Sequence, residues 1–319
     1  MQFDSNSLFA APDLEATIDR QPLIISPDTS LKEAIALMCQ VRRTNQLKPK
    51  KSRVIPNRAA SCALVMDGGE IKGIITERDI VKSTASEIAL TECKVADVMS
   101  HPVITFKEES FKDIFATLFL FRRYKIRHIP LVDNSDRLIG IISPETIRQA
   151  MRPANLLKLR RVCDVMQRNV ITSDVTASVL ELARLMTESR ISCVIITRED
   201  LEEAIATPVG IITERDIMQF QFLELNLSQT TAEEVMSTPL FLMSPEDSLL
   251  VANKEMTKRK IRRLVVSWNW GRDLGIVTQT SLLKIFDPME MYSVIESLQH
   301  TVQQLERENK QLKRKIQNG

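Results

Sequence analysis

Apolar residues in this chain alternate between two patterns. Four short aliphatic runs, Cys62-Ala63-Leu64-Val65, Ile129-Pro130-Leu131-Val132, Val194-Ile195-Ile196 and Leu264-Val265-Val266, have the length and composition of buried strands. Helical stripes stand before them: Leu31, Ile35 and Met38 share one face, and Val179, Leu182 and Met186 share another. A turn follows each run (Asp67-Gly68-Gly69, Asp133-Asn134-Ser135, or a longer acidic loop near Asp200), then a Gly-Ile strand and a second helix. The pattern predicts four α/β units, each β-α-β-β-α over about 60 residues. Units that small bury too little surface alone and are expected to pair face to face. Beyond Asp287-Pro288 the period changes to a heptad, with Ile295, Val302, Asn309 and Ile316 at a and Leu298, Leu305 and Leu312 at d. β-branched a residues, Leu at d and one Asn at a favour a parallel two-stranded coiled coil, with Glu308 at g facing Lys313 at e of the partner helix. His300 falls at an outward f position and reads as a surface residue.

Two motifs recur on this frame. Gly73-Ile74-Ile75-Thr76-Glu77-Arg78-Asp79-Ile80 returns unchanged as Gly210-Ile211-Ile212-Thr213-Glu214-Arg215-Asp216-Ile217, 137 positions later. It reads as a strand end running into a helix, with Thr at the N-cap and Asp three residues on. Two readings are open: the pair caps the helix, or hydroxyl and carboxylate face a ligand at the helix N-terminus. The second motif is Asp97-Val98-Met99 before Pro102-Val103-Ile104-Thr105, repeated at Asp164-Val165-Met166 and Glu234-Val235-Met236. Arg20-Gln21-Pro22-Leu23-Ile24-Ile25 forms a degenerate first copy.

Composition narrows the function. Over 319 residues, 44% are hydrophobic and 26% charged, with a net charge of +2, so the chain as a whole is not drawn to nucleic acid or acidic membranes. No apolar stretch approaches the roughly 20 residues of a membrane span, and no signal peptide opens the chain. Five scattered cysteines without a C-x-x-C pair suit a reducing cytoplasm, and Cys62 and Cys193 are expected to be small buried strand residues facing a helix. Three separated histidines form no zinc motif, His101 is expected to face solvent, and eight glycines leave no nucleotide-loop signature. No catalytic constellation is visible, and the expectation is a protein that is not an enzyme.

The D-V-M-x-x-P-V-I-T opening, the strand from Lys125 to Asp133 and the G-I-I-T-E-R-D ending resemble the cystathionine β-synthase (CBS) repeat, four of which pair into two Bateman modules. The divisions expected are an arm over 1–19, repeats over 20–92, 93–155, 156–228 and 229–287, and a coiled-coil helix over 288–319. The resemblance implies a regulatory module binding an adenosyl ligand (AMP, ADP or ATP, with S-adenosylmethionine or a signalling dinucleotide as further options) between paired repeats. It places ribose contacts on Thr76 and Asp79 and on Thr213 and Asp216. Base contacts fall on Val103 and Ile104 and on Leu240 and Phe241. Phosphate contacts fall on Arg127 and His128 and on Arg262 and Arg263. A carboxylate can accept from both vicinal ribose hydroxyls, and the guanidinium fork suits phosphate.

Repeats two and four depart from this pattern. They read Ser143-Pro144-Glu145-Thr146 and Thr278-Gln279-Thr280-Ser281, without the carboxylate, although their helices begin at the same place. Capping alone therefore does not require the Asp, which favours the ribose reading and predicts two competent clefts. A basic insertion, Arg42 to Arg58, carries seven basic residues and no acid; it reads as a solvated loop, or as added charge for phosphate or an acidic partner. The function expected is a cytoplasmic adenine-nucleotide sensor, a homodimer passing its state through the coiled coil to an output domain or partner. The alternatives are a constitutive dimerisation scaffold with vestigial clefts and a nucleic-acid regulator using the insertion. The missing helix-turn-helix and interleaved aromatics speak against the latter.

Overall fold

A computed structural model of the chain describes residues 14–40, 60–150, 157–158, 160–200 and 205–286. The basic insertion and the heptads of 288–319, with His300, Glu308 and Lys313, lie outside the described residues. The first unit runs β1 (Ile18–Asp19), β2 (Ile24–Ile25), α1 (Leu31–Gln40), β3 (Cys62–Asp67), β4 (Glu70–Thr76) and α2 (Glu77–Ala85). The second runs α3 (Val95–Val98), β5 (Phe106–Lys107), α4 (Ile114–Tyr124), β6 (Ile129–Val132), β7 (Leu138–Ile142) and α5 (Pro144–Ala150). The third opens on a 3₁₀ turn, Val162–Asp164, and continues β8 (Thr172–Asp174), α6 (Val179–Glu188), β9 (Cys193–Asp200), β10 (Ile205–Thr213) and α7 (Glu214–Phe222). The fourth is α8 (Ala232–Val235), β11 (Leu242–Met243), α9 (Leu249–Arg259), β12 (Arg263–Trp268), β13 (Asp273–Thr278) and α10 (Gln279–Leu283). In each unit the short strand runs parallel to the next, which pairs antiparallel with the third.

The middle strands are continuous apolar runs because both faces are covered. Along β3, Ala63 and Val65 pack with Leu31 and Ile35 of α1, while Cys62 and Leu64 point the other way, onto Ile141 of the second unit. Cys193 and Ile195 likewise meet Val265 and Ile276 of the fourth unit. The two cysteines thus face a partner sheet and not a helix. Period-2 alternation assigns them that face, and burial pushes the Cys62 thiol up to about 12, far from reactive.

Units one and two, and three and four, therefore pair through their sheets. The helices make the other contacts. Val81 of α2 is buried in the core of unit three, and Met218 of α7 in that of unit one. Units two and four share a single core holding Ile114, Phe121 and Ile147 with Leu249, Met256 and Leu282. Each unit thus packs its apolar faces on two others, closing a ring in the order one, two, four, three.

Within each sheet-paired couple, the leading segment of one unit crosses to the third strand of the other. β1 pairs antiparallel with β7, so residues assigned from sequence to an arm complete a four-stranded sheet in unit two. Ser100 bridges to Ile74, Gln167 to Ile276 and Ser237 to Ile211 in the equivalent places. The glycines of the Gly-Ile strands make this crossing possible. A Cβ on Gly73 would sit 2.3 Å from Met99 Sδ, one on Gly210 2.2 Å from Met236 Sδ, and one on Gly140 2.6 Å from the Asp19 carbonyl oxygen. The two recurring sequence motifs are thus one contact seen from its two sides.

Candidate functional site

The four second helices all start near the ring's centre. At Thr76 the backbone is extended and turns helical at Glu77. Asp79 Oδ2 accepts from the Thr76 N–H (2.9 Å) and hydroxyl (2.7 Å), and Oδ1 accepts from the Ser100 hydroxyl at 3.2 Å. Thr213 and Asp216 repeat the first two bonds at 2.8 and 2.7 Å. Burial raises the pKa of Asp216 against the opposing Thr213 bonds. In unit two, Thr146 Oγ1 accepts from the Ser143 N–H at 2.9 Å, and in unit four Ser281 Oγ accepts from the Thr278 N–H at 3.2 Å. A hydroxyl therefore caps these helix starts as well as a carboxylate does.

The residues expected to flank a base have different neighbours. Leu240 enters the sheet–sheet core of units three and four, whereas Phe241 joins the helix core of units two and four, with the Arg259 guanidinium 4.0 Å from its ring centroid. Val103 packs on Cys62, Leu64 and Ile141, and Ile104 beside it is half-buried. A cavity of about 560 Å³ lies beside Leu240, between Pro208 and Val209 of β10, Met236, and Arg198 with Glu233.

Arg127 and Arg262 are set by a shared local device. Lys125 and Lys260 end α4 and α9 in the left-handed region (φ 55° and 57°), and the next amide bonds back to the helix, Ile126 N–H to Phe121 O and Ile261 N–H to Met256 O. The chain then reverses and aims both arginines at the centre, where they meet carboxylates. Arg127 donates to Glu214 Oε2 at 2.8 Å, and Arg262 donates to both Glu77 oxygens at 3.3 Å and approaches Glu145 at 3.4 Å. Arg263 donates to the Ser192 hydroxyl at 3.2 Å and lies 3.9 Å from Glu214; His128 Nε2 is 2.9 Å from the Ser61 hydroxyl. Burial and Arg127 lower the pKa of His128 to about 3, so it is neutral and shares one hydrogen with Ser61.

Sequence reasoning assigned no role to the Glu-Arg pair of the octapeptide, and here the two copies cross. Arg78 donates to Glu214 Oε1 and Arg215 to Glu77 Oε1, each at 2.9 Å. Glu77 and Glu214 are 3% and 1% exposed. Burial favours their neutral forms, but Arg262 and Arg215 hold Glu77 down at about 2, and Arg127 and Arg78 hold Glu214 low. The signal was present in the sequence: Glu-Arg is identical in units one and three and is replaced by Pro144-Glu145 and Gln279-Thr280 in units two and four. Glu77, Pro144, Glu214 and Gln279 occupy the same first helical position, and Glu145 stands one residue further on, where units one and three have Arg78 and Arg215. Gln279 Nε2 and Arg262 Nε are buried donors without an acceptor among the described residues.

Fold and site together define a tandem-repeat α/β protein made of two sheet-sharing pairs. The CBS domain model matches residues 14–86, 95–153, 162–222 and 232–287, and the chain belongs to the CBS-domain family, its four domains forming two Bateman pairs. Among curated relatives, the uncharacterized protein MK0525 of Methanopyrus kandleri is 32% identical over 45% of this chain and 71% of its own length. Uncharacterized protein MJ1404 of Methanocaldococcus jannaschii is 25% identical over 72% of this chain, which spans about half, 54%, of that relative. The crystal structure of protein MJ1225 from the same organism superposes with a TM-score of 0.69 at 20% identity, covering 86% of this chain and all of that one. No described helix is long and apolar enough to cross a membrane.

Proposed function

We propose that the chain is a regulatory module that binds an adenosyl ligand in two clefts, one per Bateman pair, with the ribose on Thr76 and Asp79 in one and on Thr213 and Asp216 in the other. One observation carries the reading. Units two and four start the same helix with a hydroxyl at the third position, so the carboxylate of units one and three exceeds what capping needs. A partly desolvated carboxylate already oriented by its own Thr is preorganised to accept from a diol. Binding changes the balance between paired domains, and the heptads over 295–316, in a parallel dimer, carry that change to an output domain or partner. A ligand can do so only through unequal affinity for the two conformers.

Asp79→Ser and Asp216→Ser test this, because units two and four already fold with a hydroxyl there. Calorimetry with AMP and S-adenosylmethionine is expected to give two sites in the wild type and one in each single variant, with far-ultraviolet circular dichroism unchanged. Four equivalent sites, or undiminished binding in both variants, would overturn the assignment.

A further inference from the structure

The arginines expected to take a ligand's phosphates are already matched by carboxylates of this chain. Five guanidiniums (Arg78, Arg127, Arg215, Arg262, Arg263) meet Glu77, Glu145 and Glu214 at the centre. Asp79 and Asp216 lie two residues along the same helices from Glu77 and Glu214, bringing the carboxylates to five as well. His128, neutral, adds no charge. The centre is therefore balanced before any ligand enters.

From this balance we infer that Glu77 and Glu214 set the charge of the ligand: they stand where a phosphate chain would lie and restrict the clefts to adenosyl compounds without a polyphosphate tail. The inference rests on the adenosyl reading above and names the ligand class within it. Glu77 directly follows Thr76, and Glu214 directly follows Thr213, so each carboxylate is placed by the same turn that places the ribose-binding hydroxyl. A triphosphate would have to take Arg127 from Glu214 or Arg262 from Glu77, leaving a carboxylate 1–3% exposed with one guanidinium fewer and next to the incoming anion. Losing the partner of a buried charge is among the most unfavourable changes a protein interior can undergo. The unmet demand at the centre is small: Gln279 Nε2 and Arg262 Nε need one or two acceptor atoms, which a water or one phosphate oxygen supplies. The octapeptide thus has a second use in its Glu-Arg, separate from the Thr and Asp that flank it.

Calorimetry on the full chain, in magnesium-free buffer with adenosine, AMP and ATP, tests the inference. The wild type is expected to bind AMP at least tenfold more tightly than ATP. In Glu77→Gln/Glu214→Gln, which keeps shape and removes charge, ATP affinity is expected to rise at least tenfold while adenosine changes less than threefold. The reciprocal variant, Arg78→Gln/Arg215→Gln, removes cations and is expected to widen the preference for AMP over ATP. Wild-type binding of ATP as tight as that of AMP overturns the inference even if both variants fail to fold, and so does an unchanged AMP-to-ATP ratio in folded variants. Failure of the adenosyl reading looks different: none of the three compounds, adenosine included, then binds the wild type or either variant.

Discussion

At the scale of single residues, Thr-x-x-Asp serves two ends with one geometry. The Thr N–H and hydroxyl both point at one carboxylate oxygen, which starts the helix and leaves the carboxylate oriented. Replacing Asp79 or Asp216 by Ser is expected to cost no more than about 1 kcal/mol of stability, the usual size of a cap substitution, while removing one ligand site. Thermal unfolding beside calorimetry separates the two effects. Spacing and chemistry made this part of the site legible in the sequence. The partners of Arg127 and Arg262 were not legible, because a sequence shows that a guanidinium needs an anion without showing which of 41 acidic residues is nearest. Only the identity of Glu-Arg in two copies hinted at pairing. That Leu240 and Phe241 pack in different cores was not legible either, because neither residue lies in a regular element whose period could assign its side.

Among elements, strands and first helices followed the hydrophobic pattern closely, since burial on one or two faces dictates period. β1 escaped it. Two residues in a polar context carry no periodicity, and their place is fixed by Gly140, more than 100 residues downstream. Gly140→Ala is expected to destabilise the fold by about 1–3 kcal/mol, the range of an overpacked core, because its Cβ meets backbone that has no alternative rotamer. Gly73→Ala meets the flexible Met99 side chain and is expected to cost less. A comparison of unfolding midpoints decides the order, and equal losses would remove the special role of the β1 crossing. The contact between α2 of unit one and the helices of unit three was equally hidden. An amphipathic stripe tells that a face is covered and is silent on what covers it.

The molecule as a whole responds to acid in a predictable direction. His128 is held neutral with a pKa of about 3 against an ordinary 6.5, so its contribution is complete above pH 6.5 and declines as pH falls towards 3. Glu77, at about 2 against 4.5, contributes fully above pH 4.5 and is lost on the way to 2. Both slopes have the same sign: these two contributions are constant above pH 6.5 and fall in two stages below it. His128→Gln, which retains a partner for Ser61, is expected to flatten the stage between pH 6.5 and 4.5 and leave the lower one. A variant with the upper stage intact would show that His128 is not its source. The salt links join units one and three and tie units two and four to them, so the ring is expected to melt in one transition. Met218→Ala, which empties a position shared by two units, is expected to cost about 2–5 kcal/mol and lower that single midpoint.

The crossing of leading segments also bears on how the chain is made. The strand that completes the second sheet, Ile18–Asp19, leaves the ribosome first, and its seat on Ile141 and Ile142 follows only after more than 100 further residues. The third unit's opening residue Gln167 waits in the same way for Ile276. During synthesis the first domain therefore cannot be finished alone, and neither can the second, because each holds the other's missing edge. The smallest length of chain that leaves no sheet open is a pair. A pair begins at its leading strand and not at its first helix, so a truncation that parts Ile18 and Asp19 from the second domain cuts through a sheet.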